Sequence, residues 1–201
     1  MNRKQFFIST GLTAFSMTAL GNILKTNEGN FKGDCKTTND ILGPFYRENA
    51  PVRNDLTFAN QSGNNILLKG NVFKNDCVTP IKDATIEIWH CNIKGEYDND
   101  TNEFRNRAQW LTNEKGEYSF ITILPGKYLN GALYRPSHIH FRITAKGYKE
   151  IVSQIYFKGD PHIAKDEWAS DKKAIHRILE IVPEDTKGGF TIFFNIYLEN
   201  K

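Results

Sequence analysis

His138 and His140 lie two positions apart in the run His138-Ile139-His140-Phe141-Arg142-Ile143. On a β-strand that spacing turns both imidazoles to one face, where two neutral rings suit a metal ion. The same spacing also fits one packed and one surface histidine, so the pair alone is weak evidence. Arg135 stands just before it in Tyr134-Arg135-Pro136-Ser137, and Pro136 breaks the start of the strand. Arg135 therefore belongs to a loop at the same end as the histidines. Two tyrosines sit on loops that could reach that end. Tyr97 closes Trp89-His90-Cys91-Asn92-Ile93-Lys94-Gly95-Glu96-Tyr97, and Tyr128 closes Leu124-Pro125-Gly126-Lys127-Tyr128. A free phenol has a pKa of ~10, so binding as phenolate calls for a hard, strongly polarising cation. Two phenolates with two imidazoles fit ferric iron best. For either tyrosine alone, a packed ring with a bonded hydroxyl is the simpler reading. His90, beside Trp89, reads as a packing histidine, and His162 and His176 read as surface residues.

The elements that must position these residues read as strands. Ile66–Phe73, Ala84–His90, Glu117–Ile123, His138–Ile143, Ile151–Phe157 and Gly189–Leu198 are β-branched and aromatic with period two. Gly, Asn, Asp and Pro turns separate them. The pattern predicts an all-β fold, an antiparallel β-sandwich with long loops and little helix. Pro161 to Lys173 has room for a turn or two of helix.

The chain has 201 residues, enough for one domain with a short appendage. Its 26 basic and 23 acidic residues leave a net charge of +3, which makes no case for a nucleic-acid partner. Arg3 and Lys4 precede an apolar, Ser/Thr-diluted stretch without charge up to Lys25. Residues 1–21 read as an export signal, and Asn2-Arg3-Lys4-Gln5-Phe6-Phe7 resembles a twin-arginine start with Lys in one Arg position. The expectation is an exported protein, periplasmic or extracellular, with no stable membrane span in the mature form. A polar segment over 22–42 and one domain over 43–201 complete the division. Export permits disulfides. Of Cys35, Cys77 and Cys91, the pairing expected is Cys77–Cys91, because both flank predicted strands around one turn.

Further motifs surround the candidate residues: Gly43-Pro44-Phe45-Tyr46, Ile88-Trp89-His90-Cys91-Asn92, Phe104-Arg105 with Gln109, Thr112, Gly116 and Tyr118, and Gln154-Ile155-Tyr156-Phe157-Lys158-Gly159-Asp160-Pro161. In order and spacing the set resembles the intradiol ring-cleavage dioxygenases, of the protocatechuate 3,4-dioxygenase kind. The Trp-His-Cys variant is similar to secreted members of that family. The resemblance implies a non-haem Fe(III) held by Tyr97, Tyr128, His138 and His140, with Tyr128 and His140 as the axial pair. It implies a catechol-type substrate bound through both oxygens, with Tyr128 and a solvent hydroxide taking up its two protons. Cleavage with O2 between the hydroxyl-bearing carbons would give a muconate-type diacid. Arg135 would stabilise negative charge developing on the ring, Gln154 would be the polar residue beside it, and Tyr46 and Phe45 would line the pocket.

The resemblance does not name the catechol. With about 40 residues before Gly43 and half of them read as signal, the N-terminal helical segment by which members acting on plain catechol dimerise is not expected, the chain looks closer to the protocatechuate-type core, and homo-oligomerisation stays open. A reading from another class also stands: a sandwich module that binds aromatic compounds or carbohydrate without turnover.

Overall fold

The computed structural model of the chain describes residues 24–25, 31–184 and 189–201. The expected export signal over residues 1–21 lies outside the described residues. In chain order the strands are β1 (Leu24–Lys25), β2 (Phe31–Lys32), β3 (Asn65–Lys74), β4 (Thr85–Trp89), β5 (Arg107–Leu111), β6 (Glu117–Ile123) and β7 (Tyr128–Asn130). They continue as β8 (Leu133–Arg135), β9 (His138–Thr144), β10 (Ile151–Phe157), β11 (Ile178–Leu179), β12 (Val182–Pro183), β13 (Phe190–Phe193) and β14 (Ile196–Leu198). Among the described residues, helix is confined to short 3-10 segments at Ile163–Lys165 and Lys172–Arg177.

Two sheets form a sandwich. The first has the order β11-β10-β9-β4-β5. The second is built around β3, which pairs antiparallel with β6 on one edge and parallel with β13 and then β14 on the other. The strands alternate as expected, and the main ladders are antiparallel. The late strands differ: β10–β11, β3–β13 and β3–β14 are parallel. Each of these partners is reached by a long crossover rather than a tight turn, which is what parallel pairing requires. Between β13 and β14 the backbone of Phe194 crosses Gly70 so closely that a Cβ there would sit 1.9 Å from the Phe194 carbonyl oxygen. Only glycine permits that approach.

The period of two decides which residues meet the core. Ile86 and Ile88 of β4, Ile139, Phe141 and Ile143 of β9, and Ile151, Ile155 and Phe157 of β10 face inward. There they pack against Ile66, Leu68 and Val72 of β3, Phe120 of β6, and Ile192 and Ile196 of β13 and β14. The alternate residues of the first sheet must then face outward. The register aligns Glu87 with Arg142, Trp89 with His140, His140 with Gln154, and His138 with Tyr156. The outer ends of these strands are nonetheless buried, since Trp89, His138, His140, Gln154 and Tyr156 are all nearly inaccessible. An N-terminal arm and the loops between strands cover them.

The arm is pinned by a disulfide between Cys35 and Cys77, and this corrects the expected Cys77–Cys91 bond. Cys77 lies in the turn before β4, whereas Cys91 lies beyond its far end. At ~3.3 Å per residue, a five-residue strand with its flanks holds the two roughly 20 Å apart. Cys91 is a buried free thiol that donates to the Gly126 carbonyl at 3.2 Å. Burial pushes its pKa up to about 12, so it stays a thiol.

Candidate metal centre on the outer face of the sheet

β9 delivers His138 and His140 to the outer face at its first and third positions, as their spacing required. Tyr128 begins β7, whose hairpin with β8 sets it opposite Arg135. Tyr97 comes from the irregular loop between β4 and β5. That loop is anchored by Arg107, a buried guanidinium whose Nε donates to the Asp98 carbonyl at 2.7 Å and whose Nη2 donates to Asn99 Oδ1 at 3.2 Å. The four candidate ligands converge. Tyr97 Oη lies 3.3 Å from His138 Nε2. Ring centroids are 5.0 Å apart for His138 and His140, 5.7 Å for Tyr128 and His138, 5.8 Å for Tyr97 and Tyr128, and 6.3 Å for Tyr97 and His140.

The donor chemistry fits a hard cation. The Pro136 carbonyl accepts from His138 Nδ1 at 2.6 Å, which leaves the Nε2 lone pair facing Tyr97. Burial, reinforced by the Arg135 charge, pushes the His138 pKa down to about 3. Burial and then His138 hold His140 well below the usual imidazole range. Both rings are therefore neutral at ordinary pH and can donate electron pairs. His140 Nδ1 is buried without a protein partner. Burial also holds the Tyr97 phenol well above its ordinary pKa, so the proton leaves only for a stronger cation. Among the described residues no three His, Cys, Asp or Glu side chains cluster as a metal site.

Neighbouring residues hold these rings in place. Trp89 lies flat on His140, with centroids 4.9 Å apart and planes 8° from parallel. From the arm, Phe45 stacks on Tyr97 at 4.3 Å and meets Tyr128 edge-on at 5.7 Å. Gly43, at φ +75°, leaves only enough room for the His140 ring, since a Cβ there would be 2.9 Å from His140 Cε1. Tyr46 does not join the group. Its hydroxyl donates to Glu87 Oε1 at 3.0 Å and accepts from Arg142 Nη1 at 2.8 Å, one layer behind Trp89. Of the two arm aromatics expected to line the pocket, Phe45 is the one that touches the candidate ligands.

Arg135 and Gln154 are brought to the same place. Arg135 is buried, with Cζ 5.9 Å from the Tyr128 ring centre. Gln154 is fully buried opposite His140, and both its amide oxygen and nitrogen lack a protein partner. A buried amide left open on both sides is costly unless a ligand or water meets it. His90 is the packing residue expected, bonded to the Cys91 carbonyl and the Thr122 hydroxyl at 2.8 Å each. His176 is exposed and His162 half-buried. Sequence reasoning gave no role to Asp166, Asp40 and Arg177, buried charges behind Arg135 and Gln154, or to the Tyr156 hydroxyl that links them, although Tyr156 stands in one of the motifs. Their one local signal is Asp166, placed to cap the turn toward Ala169.

A family profile described as Dioxygenase matches residues 41–200. The chain is 28% identical to chlorocatechol 1,2-dioxygenase of Rhodococcus opacus over 98% of its own length and 86% of the relative's. It is 28% identical to intradiol ring-cleavage dioxygenase prcA of Aspergillus niger over 84% of its length, but spans only 60% of that protein. Among solved structures, it superposes with a TM-score of 0.72 and 25% identity on the dioxygenase domain of a dioxygenase carbohydrate-binding protein fusion from Streptomyces sp. SirexAA-E. That match covers 83% of this chain and 99% of the other. The profile spans most of the chain, including every strand that carries a candidate ligand, and on these grounds the chain belongs to the intradiol ring-cleavage dioxygenase family.

Proposed function

We propose that the protein is a non-haem ferric dioxygenase. It would open a catechol-type ring between the two hydroxyl-bearing carbons and insert both atoms of O2 to give a muconate-type diacid. The observation that carries this reading is the convergence of two neutral imidazoles and two phenols, with Tyr97 Oη 3.3 Å from His138 Nε2. Tyr97, Tyr128, His138 and His140 would hold the iron, and the two phenolates would balance part of its charge. When bound, Fe(III) supplies Lewis acidity that takes charge from both catechol oxygens and opens the ring to O2.

The chain's own groups then have distinct tasks. Tyr128 is half-exposed at the head of a three-residue strand and hydrogen-bonds Arg135, so of the two phenols it is the one that would swing out and receive a catechol proton. Tyr97, stacked under Phe45, stays in place. Arg135 keeps its charge at every working pH and offers hydrogen bonds to negative charge building on the ring. The open amide of Gln154 orients the bound substrate. Phe45 and Trp89 close the site to bulk water from the arm and sheet sides.

The Cys35–Cys77 bond supports export to an oxidising compartment. Among the described residues no helix is long and apolar enough to cross a membrane.

The test is oxygen uptake by the purified, iron-loaded protein with a panel of catechols. The expected product is opened between the hydroxyls, and cleavage beside them contradicts the reading. Tyrosinate-to-iron charge transfer should colour the protein reddish, and Tyr97→Phe or Tyr128→Phe should shift or bleach that band. A colourless iron-loaded protein would rule out the ligand set. A coloured one that binds catechols without oxygen uptake would leave a binding module.

A further inference from the structure

The guanidinium of Arg135 is not free in the site. Its Nε donates to Asp166 Oδ2 at 2.7 Å and its Nη2 to Asp166 Oδ1 at 3.2 Å, a two-pronged clamp between groups each only 3% exposed. Asp166 is itself held by the backbone, because its Oδ1 accepts from the N–H of Trp168 at 3.1 Å and of Ala169 at 2.8 Å. The Trp168 ring lies under the guanidinium, 4.2 Å from Cζ. Nη2 also reaches Tyr156 Oη at 3.4 Å. That hydroxyl donates to Asp40 Oδ2 at 3.2 Å, Asp40 pairs with Arg177 at 2.9 Å, and Arg177 Nη1 donates to the Gln154 carbonyl at 2.6 Å. A continuous buried chain thus runs from Asp166 to the backbone of the residue whose amide is left open.

Buried ion pairs are poor stabilisers, since desolvation cancels most of their attraction. Two of them behind the same pair of site residues are better explained by what they orient. A planar guanidinium clamped along its Nε–Nη2 edge and stacked on a ring has one nitrogen outside the clamp, Nη1, and one direction in which to present it, the side of the site where Arg135 also hydrogen-bonds Tyr128.

We propose that Asp166 is a positioning residue for the reaction. It fixes the Arg135 guanidinium so that Nη1 faces the substrate, and Tyr156, Asp40 and Arg177 extend the same frame to Gln154. The proposal rests on the dioxygenase reading. It assigns Asp166 no contact with substrate or iron, and its whole effect passes through Arg135.

The test is a double-mutant cycle of Asp166→Asn and Arg135→Ala in the iron-loaded protein. It reads kcat, KM, iron content and affinity for 4-nitrocatechol, a slow-reacting catechol probe. Asp166→Asn should lower kcat/KM by about 10- to 100-fold, mainly in kcat, with iron content unchanged. In the Arg135→Ala background the same substitution should cost less than about twofold, because its target is gone. Wild-type kinetics in Asp166→Asn, or losses that simply add, overturn the proposal. If Asp166→Asn does not fold, Tyr156→Phe carries the same cycle by removing only the hydroxyl between Arg135 and Asp40. Its loss in kcat should shrink without Arg135 to the part that passes through Asp40 and Arg177 to Gln154, and full additivity or no loss overturns the proposal. A wild-type protein that binds 4-nitrocatechol but consumes no oxygen defeats the dioxygenase reading alone, and the cycle is then read on affinity. A wild-type protein that binds none defeats both.

Discussion

The four candidate ligands owe their reactivity to small neighbours. His138 has its tautomer set by one carbonyl two residues earlier. His140 has its ring confined between Trp89 and Gly43. The second constraint is sharp, because φ is +75° at Gly43 and any Cβ would press on the imidazole. Gly43→Ala should therefore displace the His140 ring and lower iron affinity by about 10-fold or more, the usual cost of disturbing a residue that orients a metal ligand. Iron per chain after dialysis against a weak chelator measures it, and wild-type retention would show that His140 has room to spare.

The N-terminal arm is the element that converts an open sheet face into a buried site. It begins at Cys35, tied to Cys77. It then runs beside β10, where Asp40 N–H donates to the Val152 carbonyl and Ser153 Oγ to the Thr38 carbonyl, each at 2.8 Å. It ends with Gly43 and Phe45 against His140 and Tyr97. The disulfide spans 42 residues of chain. Removing it should cost about 4 kcal/mol on the chain-entropy argument, less whatever strain the bond carries. Cys35→Ser should lower the urea midpoint accordingly, and a reductant should reproduce the loss in the wild type but add nothing in the variant. An unchanged midpoint would mean the arm is held by its hydrogen bonds alone.

Over the whole molecule, the sandwich core and the candidate centre use opposite faces of one sheet. The core cluster is apolar, the outer face buries His138 and His140, and His90, bonded to the Thr122 hydroxyl of β6, is buried between the two sheets. Stability should therefore depend on pH through these buried imidazoles. His90 lies outside the ligand set, and burial lowers its pKa to about 4. The unfolded chain takes up this proton near pH 6.5, but the folded chain refuses it until about pH 4. Between those values the unfolded state binds more protons, so stability falls as pH falls, by about 1.4 kcal/mol per pH unit from this ring. Urea unfolding of wild type and His90→Gln from pH 6.5 downward should show the variant with the shallower slope by that amount. Parallel slopes would contradict it. Asp166 acts in the same direction: burial opposes its ionisation, but the Arg135 hydrogen bonds and backbone N–H groups outweigh that and hold its pKa down.

Local order along the chain was enough to read the main strands, the shared face of His138 and His140, and the loop position of Tyr97, but not the short β7–β8 hairpin that carries Tyr128 and Arg135 where loops were expected. Period two and turn chemistry act over a few residues, so they are written where they act. The parallel late strands, the Cys35–Cys77 bond and the clamp on Arg135 could not be read that way. Each joins residues far apart in the chain, such as Arg135 with Asp166 and Asp40 with Arg177, and pairing at that separation depends on the route of the crossovers. Tyr46 and Phe45 show the same limit at one step. They are adjacent in sequence and both aromatic, yet packing alone turned one onto Tyr97 and the other onto Glu87. The donor types needed to bind a hard cation are legible in the residues. Whether those donors meet, and which charged groups hold their neighbours still, follows from how the arm and loops close over the sheet.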